Sequence, residues 1–148
     1  MILNNMKANE LMIGDWVHLK AHRGFEAQDI QVATIPDGSS EKHYGHIGAW
    51  VKSEDNDFRD IEDTRLEPIP LTSEFLEKNG FRRNFDSVEK RYTYISNFFP
   101  LIIIEEKKKW WFGTYDTAME LLYILQIKYV HQFQQALRIG GVIKEIVL

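Results

Sequence analysis

Five histidines, a run of carboxylates and several aromatic rings are the groups through which this chain could do chemistry. His43 and His46, in the stretch HYGH, are spaced so that two imidazoles share a metal ion once a carboxylate joins them, but they sit in a glycine-containing loop with no cysteine and no helix to fix them. They read as an ordinary polar loop. His131, in KYVHQFQQAL, would act as a general base only if a carboxylate oriented it, and its sequence neighbours supply none. A histidine beside an apolar helix stripe more often makes a hydrogen bond within the fold, so His131 stands as a structural or binding residue. His18 and His22 flank the exit of a short strand and read as surface residues. The acidic run from Asp55 has ligand-like oxygens, yet an EF-hand loop needs Gly where Asp60 stands and Glu where Leu66 stands. Phosphate loops, dinucleotide fingerprints, nucleophile elbows and H-E-x-x-H helices are all missing. The expectation is therefore no catalytic residue, no metal and no cofactor.

The rings and cations point instead to binding. Trp16, Tyr44, Trp50 and Phe58 lie in or beside the first predicted strands, where exposed rings grip a peptide or stack on bases. Trp110 and Trp111 follow Lys107 to Lys109; in an alternating strand one of two adjacent tryptophans faces inward as core. Charge is uneven along the chain. Residues 53–63 carry six acids against Arg59, whereas residues 77–91 hold Lys78, Arg82, Arg83, Lys90 and Arg91 against three acids. A net charge of -4 and a pI near 5.7 oppose loose binding to phosphate backbones. The candidate binding residues are accordingly Trp16, Tyr44, Trp50, Arg82, Arg83, Lys90, Arg91 and His131.

Elements must hold these residues in place, and 148 residues with 44% hydrophobic content are enough for one domain or two small modules. Having no cysteine, the chain forms no disulfide, and no stretch approaches the roughly 18 apolar residues of a membrane span. The expected location is the cytoplasm. Up to residue 71 the pattern is β: a Gly14-Asp15 turn into Trp16 to Leu19, then IQVATI, then HIGAWVK, and an extended TRLEPIPL whose prolines suit an edge. Four short strands suggest a small SH3-like or OB-like barrel.

The second half, 72–148, is expected to be α+β and packed on the barrel. Thr72 caps a helix over 73–79, Leu71 and Leu76 stand at the staple positions, Gly80 ends the helix, and Phe81 folds back on Leu76. KRYTYISNF reads as a strand, and Leu101–Ile104 with Trp110–Phe112 as a hairpin turning at EEKKK. Leu121 to Leu125 suits a buried strand, although Thr117 and Glu120 have capping-box spacing; strand is favoured. A last helix has Tyr129, Val130, Phe133, Ala136 and Leu137 on one stripe, Gln132 and Gln135 toward solvent, and His131 and Gln134 at the flanks. VIKEIVL is a closing strand or tail.

ELMIGDWV, LEPIPLTSEFLEKNGF and IKYVHQFQQAL together resemble a group of short, uncharacterised proteins of Bacteroidetes and their phages and mobile elements. Those carry E-L-x-I-G-N-W-V, P-L-T-x-E-x-L-x-x-x-G-F and I-K-Y-V-H-Q-L-Q in the same order, and this chain departs with Asp15 for Asn and Phe133 for Leu. The resemblance implies a shared fold and a phage or mobile-element origin, with no activity attached to any residue. The leading expectation is a non-enzymatic accessory or interaction protein with a protein partner, its oligomeric state open. The rivals are a nucleic-acid-binding module using residues 78–91 and a small hydrolase or nucleotide-sequestering protein.

Overall fold

In the computed structural model, which describes residues 6–22, 25–35, 45–53, 57–142 and 144–148, the chain divides into two units, Met1–Ile69 and Pro70–Leu148. Among the described residues each unit contains one five-stranded antiparallel sheet, and two α-helices lie in the second unit. The protein is thus mostly β, with a minor helical part. No helix among the described residues is long and apolar enough to cross a membrane.

The first sheet consists of β1 (Trp16–Leu19), β2 (Gln28–Thr34), β3 (His46–Trp50), β4 (Phe58–Glu62) and β5 (Leu66–Glu67), in the order β4-β3-β2-β1-β5. The lead-in turn is held by Asp15, which is fully buried: its carboxylate accepts the Met12 N–H at 2.8 Å, and its carbonyl accepts the Val32 N–H at 2.9 Å. Beyond the turn the period of two takes over, burying Val17, Leu19, Ile30, Val32, Ile47, Ala49, Ile61 and Leu66 while their neighbours face outward.

The acidic stretch contains a strand, β4, with Ile61 as its one buried side chain and its other four residues exposed. The order of the sheet is linear from β4 to β5, and no ladder joins those edges among the described residues. A 3-10 turn, Asp63–Arg65, connects β4 to β5, with the Asp63 carboxylate accepting the Ala8 N–H at 3.0 Å.

The second unit starts with α1 (Ser73–Lys78), and its ends follow the local chemistry. The Thr72 hydroxyl accepts the Phe75 N–H at 3.1 Å. At the other end Gly80 takes φ +91°, so its N–H reaches the Glu77 carbonyl and the Phe81 N–H reaches that of Leu76, the Schellman pattern. Asn79 at the C-cap is buried and acts as a clamp: its amide donates to the Phe75 carbonyl at 2.8 Å and to the Val147 carbonyl at 2.7 Å, while its oxygen accepts the Val147 N–H at 2.9 Å. The last residues are therefore a tied tail with Ile146 buried, and residues 144–148 contain no strand.

A meander follows, with β6 (Arg82–Asp86), β7 (Arg91–Ile95), β8 (Ile102–Glu106), β9 (Lys109–Tyr115) and β10 (Leu121–Ile127) pairing in chain order. The β8–β9 turn is tighter than expected. Glu105, Glu106 and Lys109 belong to the arms, and the turn is Lys107-Lys108 alone, both left-handed at φ +51° and +63°. Between β9 and β10 the Asp116 carboxylate accepts the N–H groups of Ala118 and Glu120, both at 2.9 Å, so Thr117 and Glu120 open a strand and not a helix. Gly113 of β9 permits a close approach: a Cβ there would lie 2.7 Å from the Leu122 carbonyl oxygen and 2.4 Å from the Ile104 side chain.

The chain closes with α2 (Val130–Ile139), whose Phe133 is fully buried, stacks on Phe112 and makes edge contacts with Phe75 and Phe81. The Gln132 side chain accepts the Lys128 and Tyr129 N–H groups at 2.8 and 3.3 Å, tying down the first turn. The buried arc is wider than the expected stripe. His131 and Gln134 lie inside it, at 3% and 5% exposure.

Candidate functional site

The outer face of the first sheet gathers the predicted rings. Trp16 and Trp50 are at alternate positions to buried residues and so project away from the core. Trp50 is 67% exposed, and Phe58, directly opposite on β4, meets its ring edge-on with centroids 5.4 Å apart. A groove of 440 Å³ lies on this face, lined by Ile13, Trp16, Gln31, Trp50 and Lys52 among others. Its floor is set by the ladder that places Trp16 opposite Gln31. The Gln28 side chain stiffens one end by accepting the Lys52 N–H at 2.8 Å and donating to the Lys52 carbonyl at 3.0 Å. Tyr44 and His43 lie outside the described residues.

Asp29 is the one carboxylate among the residues lining this groove and Lys52 the one cation, and further acids of the unit lie outside the lining. Asp29 pairs with His18 at 2.9 Å, and Asp60 and Glu62 flank His46 at 3.1 and 3.9 Å. Across residues 1–69 thirteen Asp and Glu oppose seven Lys and Arg, whereas residues 70–148 hold nine acids and eleven cations. Among the described residues no three His, Asp or Glu side chains gather as a metal site.

The basic stretch is differently disposed. Arg82 and Arg83 are successive strand residues and face opposite ways. Arg83 lies over the Tyr92 ring at 4.6 Å, 4.0 Å from Glu77 and 3.3 Å from the Ser73 hydroxyl. Arg91 is 3.8 Å from Asp86 and donates to the Tyr123 hydroxyl at 3.3 Å. Lys90 is exposed in the β6–β7 turn, in the left-handed region at φ +53°. Two of the four cations are thus engaged within the chain, and the four do not form one face. Trp110 is core, against Tyr94 at 5.5 Å, while half-buried Trp111 packs on Tyr123. His131 stacks parallel on Tyr129 at 5.7 Å.

Beneath Arg83 is a small polar network. The Tyr94 hydroxyl, on a buried residue, bonds to Glu105 at 2.9 Å and to Ser73 at 3.0 Å. Burial pushes its phenol up to about 12, the Ser73 and Arg83 contacts act against this, and the neighbouring Glu105 carboxylate adds to it.

One surface was missed from sequence. β10 is an edge strand, and Leu122, Ile124 and Leu125 are 46, 56 and 54% exposed. Ile124 is the extra residue of a bulge, since Tyr123 pairs with Gly113 and Leu125 with Phe112. A continuous apolar run reads as interior, whereas among the described residues no further strand lies beside β10.

No protein-family model matches the chain, and neither a curated protein nor a solved structure does.

Proposed function

We propose that this chain is a non-enzymatic interaction protein whose first unit grips an extended segment of a protein partner in the groove between Trp16 and Trp50. One observation carries this reading: the exposed Trp50–Phe58 pair stands beside a groove with largely apolar walls, in a unit whose acids outnumber its cations. Large exposed rings around a shaped surface are what binding faces use, since they supply contact area at low entropic cost. The net negative charge of the first unit selects the partner's chemistry. An extended segment with apolar side chains and cationic flanks fits, and a phosphate backbone is repelled. The SH3-like reading of this unit belongs here too, and is supported by the order in which β5 returns to pair with β1 after a 3-10 turn. So does the accessory role in a phage or mobile element that the sequence resemblance implies.

The test is selection of a displayed random decapeptide library on the full chain, counter-selected on Trp50→Ala. Enrichment of Lys- or Arg-flanked apolar peptides, with affinity reduced on the order of thirtyfold by Trp50→Ala, is the expected result. Equal recovery on both proteins would dismiss the groove, and tight binding of an oligonucleotide that Trp50→Ala abolishes would dismiss a protein segment as its ligand.

A further inference from the structure

The uncovered edge of the second sheet points to a partner that the groove does not involve. β10, with the sequence LLYILQI, pairs as a strand with β9 alone among the described residues and contains no charged residue. A strand edge offers unpaired backbone N–H and C=O groups as a template, and proteins usually guard it with charge, proline or brevity. The opposite edge of the same sheet is guarded in that way: β6 carries Arg82, Arg83 and Asp86. β10 is seven residues long, and its one departure from regularity is the Ile124 bulge.

The residues just outside the strand suggest what covers it. Glu120 precedes β10 and Lys128 follows it. Antiparallel alignment of the strand with itself brings the Glu120 end of one copy to the Lys128 end of the other, twice over by symmetry. Parallel alignment would set like charges together at both ends. A two-fold axis at Ile124 places residues 121–123 of each copy along 125–127 of the other, with the two bulges at the axis. Each half of the ladder then has the regular strand it needs.

We propose that β10 pairs antiparallel with β10 of a second copy of this chain, joining two five-stranded sheets into one and covering Leu122, Ile124 and Leu125. The contact is isologous, so it closes at two copies.

Sedimentation equilibrium of the full chain tests this directly. The expected mass is twice 17.5 kDa at micromolar concentration. Ile124→Lys puts two like charges at the axis and is expected to give a monomer with an unchanged circular dichroism spectrum, because the side chain it replaces is exposed. Glu120→Lys sets cation against cation at both ends and is expected to weaken the dimer about tenfold. Adding Lys128→Glu restores opposite charges, and with them the affinity. A monomeric wild type overturns the proposal, as does a dimer indifferent to Ile124→Lys or a charge swap that fails to rescue. Should Ile124→Lys not fold, the Glu120→Lys and swap pair decides alone.

Discussion

Asn79 shows how much one side chain can hold. Its amide satisfies the Phe75 carbonyl at the end of α1 and both backbone groups of Val147, from a buried position. Asn79→Ala leaves both Val147 groups without this partner, while the Phe75 carbonyl keeps the backbone N–H of residue 79, and is expected to lower stability by about 1–3 kcal/mol in urea unfolding. Tyr94 gives a prediction in pH. A phenol in an unfolded chain loses its proton near 10, and in the fold near 12, so the folded state holds the extra proton between those values. The stability this brings is full below pH 10 and is lost as pH rises through about 12. The urea midpoint is expected to fall less steeply across that window in Tyr94→Phe. At this scale the sequence was readable where chemistry is local. Thr72 and Gly80 cap α1 as their types require, because a cap involves only residues a few positions away. The burial of His131 was not readable, since it depends on what packs against α2 from distant parts of the chain.

Strands were harder to read than helices for the same reason. β4 and β6 are missing from the expected strands because charge fills most of their outward positions, and in β4 Ile61 alone marks the core. β10 was recognised as a strand, yet its exposure was not, because period and composition describe a segment and not its neighbours. The Lys107-Lys108 turn is another such case. Both residues adopt left-handed backbone that costs a side-chain-bearing residue about 1 kcal/mol or more, and Asn-Gly is the pair that relieves it. Replacing the two lysines by Asn-Gly is expected to raise the thermal midpoint, with a gain of about 1 kcal/mol. Gly113→Ala should act in the opposite sense. Its methyl would push on the Leu122 carbonyl and Ile104, and the amides of β10 are expected to lose hydrogen-exchange protection ahead of those of β7 and β8.

For the molecule as a whole, charge divides with the units: the first is acidic and the second slightly basic. Capture of a cationic segment by the first unit is therefore expected to weaken as salt rises through the range where the Debye length falls from about 10 to 3 Å, which a titration series in sodium chloride would read. The overall β character and the placing of most strands were visible in the alternation of apolar residues, but sheet order and edge identity depend on long-range pairing. Those edges have a consequence for assembly. Two copies joined through β10 present β6 at both outer margins of the enlarged sheet, where an incoming strand would have to desolvate Arg82, Arg83 and Asp86. The charged margin is a stop signal, and replacing both arginines by valine would remove it, turning a finite pair into a ribbon able to lengthen without limit.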